Sequence, residues 1–199
     1  FHFWDAGHPD EQALIAAVGK GSFYGACDPS LGSRTGKGDY SAIVILYKVK
    51  KSDICYVLAA DIARRTPDET IERIIHYGRM YDLKYFGVEA NHFQVLMVEN
   101  LERRSKEEGV RLKIERIESR SNKQSRIANL EPEVAQGRIQ FRKRDELLLE
   151  QLRAFPNASH DDGPDALEMA VGVARKPRNR FQICDWPSGE VIYDSDWNR

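Results

Sequence analysis

The chain has 199 residues, the size of one domain or of a domain with a tail, and 41% of them are hydrophobic, enough for a buried core. Lys plus Arg number 30 against 31 Asp plus Glu, a formal net charge of -1, so a nucleic-acid partner has to show as local clustering rather than in the total. No stretch approaches the ~20 apolar residues of a membrane span, and three scattered cysteines, Cys27, Cys55 and Cys184, argue against a disulfide framework or a thiolate zinc site and fit a reducing compartment.

The first residues, Phe1 to Asp5, carry no basic leader and no initiator Met, so the chain reads as an excised domain of a longer protein, with residues 1–21 as a lead-in. Phe23 to Cys27 is a small apolar run that stops at Asp28-Pro29, a strand whose last residue is an acid. Leu31 to Asp39 is a Gly-rich loop, and Tyr40–Val49 and Ile54–Ile62 are two strands joined as a hairpin. Thr66-Pro67-Asp68-Glu69 starts a helix, with a hydroxyl cap, Pro in the first turn and acids against the dipole.

Tyr85 to Val88 is a short strand ending at Glu89, and Asn91 opens a helix with Phe93, Leu96, Met97 and Leu101 on its apolar side. Leu112 to Ile117 alternates as a strand. Lys123 to Gln136 reads as a helix interrupted at Pro132, followed by a brief strand at Ile139–Phe141. Arg144–Arg153 and Asp161–Ala174 are the closing helices. Residues 175–199 form a basic tail, with Phe181–Ile183 and Val191–Tyr193 as a small hairpin about Pro187-Ser188-Gly189. A leading meander followed by β-α alternation predicts a mixed sheet covered by helices over residues 22–174.

Three acidic positions occupy similar places in this scheme. Asp28 and Glu89 end strands, and Asp161, Asp162 and Asp165 open the last helix. Alone, Asp before Pro is ordinarily a turn residue and Asp at a helix start a cap. Together they can converge at one sheet edge, where neighbouring strands lie ~4.8 Å apart. Converging carboxylates repel unless a cation neutralises them, and hard oxygen ligands suit Mg²⁺ or Mn²⁺. Two such ions suffice for phosphodiester hydrolysis without a Ser-His-Asp arrangement.

Asp28-Pro29-Ser30, Gly38-Asp39-Tyr40-Ser41, Val88-Glu89-Ala90-Asn91, Ser119-Arg120-Ser121-Asn122-Lys123 and His160-Asp161-Asp162-Gly163-Pro164-Asp165-Ala166 follow in that order. In residues and spacing this set resembles the C-terminal nuclease domain of tailed-bacteriophage terminase large subunits. The resemblance implies an RNase H-like α/β fold in the RuvC-like superfamily and divalent-metal cleavage of concatemeric double-stranded viral DNA during genome packaging. It implies Asp28 as a ligand of both metals, Glu89 as a ligand or water-positioning residue, and Asp162 as third ligand with Asp161 beside it. Asp39 matches an auxiliary acid, and Lys123 a lysine near the active site. Asp165 is a further candidate, since residues three apart share a helix face. His160 reads as a structural hydrogen-bond partner or as an orienter of water or phosphate.

The resemblance also implies an upstream packaging ATPase domain, contacts with portal and small terminase subunit, and action in the host cytoplasm. No membrane partner is expected. Gly32 to Gly38 is not a phosphate-binding loop, because its spacing is one residue short and no Ser or Thr follows the lysine. Basic residues cluster over Arg111–Arg126 (Arg120, Lys123 and Arg126 among them) and at Arg142-Lys143. These are candidate phosphate contacts for sequence-independent DNA binding, weighed against a solvated charged face. Alternatives are a different RNase H-like nuclease such as a Holliday-junction resolvase, and a non-catalytic DNA-binding or docking module.

Overall fold

The computed structural model describes residues 1–30, 39–90, 94–118 and 122–177. The Gly-rich loop up to Gly38, Asn91 and Phe93 at the expected helix start, Arg120 and the expected C-terminal hairpin lie outside the described residues. Seven strands form one sheet: β1 (His2–Phe3), β2 (Gly21–Asp28), β3 (Ser41–Val49), β4 (Cys55–Ala63), β5 (Leu83–Glu89), β6 (Ile114–Ile117) and β7 (Ile139–Phe141). Their order across the sheet is β1-β7-β4-β3-β2-β5-β6. β3 runs antiparallel to β2 and β4, and every other pairing is parallel. The C-terminal ends of β2, β4 and β5 therefore share one edge with the start of β3. Parallel strands open their binding crevices at that edge.

Alternation along the strands sorts side chains into two cores. On one face Cys27, Ile43, Ile45, Leu58, Phe86 and Val88 pack against three helices, α1 (Glu11–Val18), α2 (Pro67–Met80) and α3 (Val95–Glu107). On the other face Ala26, Ala42, Val44, Leu46, Val57 and Phe141 pack against α4 (Lys123–Ala128), α5 (Leu130–Ala135), α6 (Glu146–Ala154) and α7 (Asp162–Arg175), or beside them. The α7 helix lies closest to β2, β3 and β5. Gly87 permits this approach, because a Cβ there would stand 2.8 Å from Val173 Cγ2 and 2.6 Å from Ile117 Cδ1. Cys27 and Cys55 are buried free thiols, and burial pushes both up from the ordinary thiol value.

The strand and helix expectations hold within a few residues, with differences that have local causes. Thr66 and Glu69 form the reciprocal capping box that the start of α2 announces. The helix expected from Lys123 to Gln136 breaks at Asn129 rather than at Pro132. Pro132 falls in the first turn of α5, where its missing N–H has no intrahelical partner to lose. Leu96, expected on the apolar side of α3, is 74% exposed, and Val98 takes the buried place. Before β2, the chain adds an edge strand and a short helix. β1 pairs with β7, Trp4 is buried with its indole N–H donating to Val57 O at 2.8 Å, and Leu14 is fully buried. No helix among the described residues is long and apolar enough to cross a membrane.

Candidate metal centre

Asp28 and Glu89 end neighbouring parallel strands, and the pairing of Cys27 with Val88 sets them side by side. Cys27 and Val88 face the α2 side, so alternation turns both acids toward α7. Asp165, one turn into α7, points back at them. One carboxylate oxygen from each of Asp28, Glu89 and Asp165 lies within 4.8 Å of the others. Asp165 is 1% exposed and Asp28 8%. The turn after Asp28 is latched from two sides: Ser30 N–H donates to Ser41 Oγ at 3.0 Å, and Gln94 Nε2 donates to Pro29 O at 3.0 Å.

Lys123 reaches into this group from the first residue of α4. Its Nζ is 2.9 Å from Asp161 Oδ1, 3.1 Å from Asp165 Oδ2 and 3.7 Å from Asp28 Oδ2. Arg126, one turn on, holds the other oxygen of Asp165 at 3.1 Å and also pairs with Glu168. Among the described residues these two cations leave Asp28 crowded by the other acids. Burial pushes Asp28 up from 3.8 to about 8; Lys123 opposes the rise, while Asp165, Glu89 and Asp162 add to it. Burial also raises Asp162, with Asp161 and Asp39 adding and Lys123 opposing. Burial alone would lower Lys123, but Asp28, Asp165 and Asp161 reverse this and hold it well above the usual lysine value.

The late aspartates take three different places. Asp161 caps α7 in position only, because its carboxylate goes to Lys123 instead of to the helix N–H groups. Gln151 of α6 supplies the missing cap, its Oε1 accepting from Gly163 N–H at 2.9 Å. Asp162 stands beside the inner group, and its Oδ2 is buried with no hydrogen-bond partner among the described residues. The sequence reading puts Asp162 third after Asp28 and Glu89, whereas the place opposite those two belongs to Asp165. An unpaired buried carboxylate oxygen and an all-oxygen donor set fit a hard divalent cation.

Gly163 is closely surrounded: a Cβ would lie 2.5 Å from Ile62 Cδ1 and 2.6 Å from Gln151 Oε1, so both side-chain ends would have to shift. Gly163→Ala is expected to displace the first turn of α7 and cost ~1–3 kcal/mol. A melting temperature that falls together with Mn²⁺ affinity checks this. An unchanged pair would mean that the helix start is not held this tightly.

Other expected residues lie farther out. Asp39 is exposed, and His160 Nδ1 is 3.9 Å from both Asp39 and Asp162, beyond hydrogen-bond range. Tyr40, from the Gly38-Asp39-Tyr40-Ser41 run, and Arg64, which no sequence motif marks, complete this lip. The Tyr40 ring meets His160 edge-on at 4.9 Å, and the Arg64 guanidinium lies over the ring at 4.2 Å, donating to Tyr40 OH at 3.0 Å. Arg126 serves the carboxylates rather than an open surface. Arg142 is a correction to the expected phosphate contacts: it is buried in ion pairs with Asp145 and Glu11. Lys143 is exposed, but Gln140 pairs with Tyr56, so β7 leaves the sheet well before β4 ends at Ala63 and the acidic edge.

A mixed sheet with one antiparallel strand, acids at its parallel C-terminal edge and a helix packed across it is an RNase H-like fold, shared with viral terminase nuclease domains. The chain belongs to the terminase RNaseH-like domain family, whose sequence profile matches residues 25–172.

Among solved structures it is similar to the human cytomegalovirus terminase nuclease domain, Mn-soaked and inhibitor-bound. The two are 11% identical with a TM-score of 0.63, over 88% of this chain and 90% of that one. It is also similar to the large terminase nuclease of thermophilic phage G20c with bound zinc: 19% identity, TM-score 0.58, 77% of this chain and 81% of that one. That phage nuclease has also been solved with bound cobalt and with bound magnesium. The match to the large terminase of a second thermophilic bacteriophage has 10% identity and a TM-score of 0.52, over 76% of this chain and 39% of that longer one. No curated protein matches the chain.

Proposed function

We propose that the chain is a divalent-metal-dependent endonuclease that cuts concatemeric double-stranded viral DNA during genome packaging. The observation that carries this reading is the mutual approach of Asp28, Glu89 and Asp165 within 4.8 Å, on a terminase-family fold. Metal-bound structures of similar nucleases support it. Asp28, Glu89 and Asp165 are the inner ligands in this reading, and Asp162, with its unpaired oxygen, is the outer one. Mg²⁺ or Mn²⁺ at two such positions supplies a polarised attacking water and charge stabilisation at the leaving oxygen.

The chain's own residues do the rest. Lys123 offsets part of the carboxylate charge and fixes Asp161 and Asp165 in place. His160 stands at the mouth, where a water or a phosphate oxygen enters. Asp39 faces the same opening. In this reading the substrate is bound through its phosphate backbone, independently of sequence. An upstream packaging ATPase, portal and small-subunit contacts, and a site of action in the host cytoplasm complete this reading. The match to only part of a longer phage large terminase supports the first of these.

Nicking of supercoiled plasmid in Mn²⁺ tests the activity, with linear duplex against a four-way junction testing the substrate. Cutting of linear duplex is expected. Exclusive cutting of the junction would move the assignment to a resolvase, and no cutting in Mg²⁺ or Mn²⁺ would remove the nuclease reading. Lys123→Met is expected to lower Mn²⁺ affinity and cleavage by ~10–100-fold, as loss of a partner that orients metal ligands does. Isothermal titration with Mn²⁺ checks this, and unchanged affinity would make Lys123 a bystander.

A further inference from the structure

The sheet edge opposite the carboxylates carries a second charged feature. A cavity of about 780 Å³ opens there, lined by Lys20, Lys48, Lys50, Lys51 and Lys84. These are five of the chain's eleven lysines, in a protein whose net charge is -1. No Asp or Glu is among its described lining residues, and only Ile15 and Val49 are aliphatic.

Three separate segments deliver these lysines. Lys20 sits on the turn between α1 and β2, and its carbonyl accepts from Lys50 N–H at 2.8 Å, which ties that turn to the end of β3. Lys48 pairs across the ladder with Ser22. Lys51 turns the β3–β4 hairpin at φ 60°. Lys84 falls beside the irregularity where the β2–β5 register shifts between Phe23 and Tyr24. Backbone pairing thus gathers like charges that repel one another when left alone.

We propose that this pocket binds phosphate groups of the DNA backbone, as a second contact remote from the cleavage centre. The proposal rests on the DNA-nuclease reading above. The chemistry favours phosphate over a protein surface: ammonium groups are compact point charges suited to single phosphate oxygens, and the lining lacks the apolar core of a protein interface. Along a strand of eight residues the pocket lies ~25 Å from Asp28, roughly seven base pairs of duplex. A duplex held at both places is gripped at the cut and at a point to one side of it, or two stretches of a long polymer are held together.

The test uses the whole chain carrying Lys20→Gln, Lys51→Gln and Lys84→Gln, all exposed positions away from the carboxylates. Binding of a fluorescent duplex of about 30 base pairs is followed by anisotropy in chelator, across a salt series. Loss of three phosphate contacts is expected to reduce the slope of log affinity against log salt by about 2.7 and to weaken binding at least ~10-fold near 0.1 M salt. Plasmid nicking at saturating DNA and the melting temperature are expected to stay at wild-type values. Unchanged affinity and slope would overturn the proposal whether or not the protein nicks DNA. Competition by polyglutamate as effective as by duplex would also overturn it, assigning the pocket to an acidic protein. Lysine-dependent binding by a wild-type protein that cuts nothing would keep the pocket and sink the nuclease reading instead.

Discussion

Replacing Asp28 with Asn is expected to abolish Mn²⁺ binding and cleavage while raising the melting temperature of the metal-free protein. Asp28 is 8% exposed, and Lys123 is the cation that opposes the rise of its carboxyl to about 8. Without metal, ionising it sets a second buried negative charge against Asp165 and Glu89. Asn keeps the shape and removes that charge. At pH 8 the metal-free variant is therefore expected to melt ~5–10 °C above the wild type, a difference of a few kcal/mol in a domain of this size. Metal reverses the order. Mn²⁺ at ~100 times its dissociation constant stabilises the wild type by about 2.7 kcal/mol and leaves the variant unchanged. Cleavage is expected to fall at least ~10³-fold, about 4 kcal/mol of lost transition-state stabilisation. A variant that still gains stability from Mn²⁺ would show that Asp28 is not a ligand.

The metal-free fold is expected to lose stability as pH rises from about 4 to about 8. The folded-state carboxyl of Asp28 keeps its proton to about 8, whereas in the unfolded chain it releases it near the ordinary value of 3.8. Within that window unfolding releases a proton. Stability is thus fully present below the unfolded value and is lost through the folded one, at up to about 1.4 kcal/mol per pH unit. Asp162, also raised by burial, adds in the same direction. Metal ligands must be deprotonated, so Mn²⁺ affinity is expected to climb over the same window and level off above about pH 8. Urea titrations with chelator and with Mn²⁺, at pH 5 and pH 8, check both halves. Metal-free stability that rises toward pH 8 would mean that the carboxylates do not crowd one another.

Asp28 and Glu89 were legible in the sequence because each closes an apolar run. An acid at the end of a buried strand has only the sheet edge to go to. Parallel pairing of the two strands was not legible, yet it is what brings the acids side by side. The three late aspartates could be placed on one helix but not ranked. Asp162 and Asp165 are three residues apart, and which of them faces the sheet depends on how α7 is rotated about its axis. That rotation is set by contacts distant in sequence, Val173 against Gly87 and Gln151 against Gly163.

The same limit hid Arg64, an ordinary residue until the end of β4 sets it over the Tyr40 ring beside His160. Arg142 failed as a surface contact because its partner Glu11 lies in α1, a helix of eight residues whose pattern is too short to stand out. β1 escaped notice for that reason too: a two-residue strand has no periodicity to read.

The most direct measurement is an anomalous difference map from crystals soaked in Mn²⁺ near pH 8. A strong peak touching carboxylate oxygens of Asp28, Glu89 and Asp165 together is expected, with any second peak on the Asp162 side. Manganese held by Asp161 and Asp162 with Asp165 left on Lys123 and Arg126 alone, or no ion at this edge, would contradict the inner triad as the metal centre.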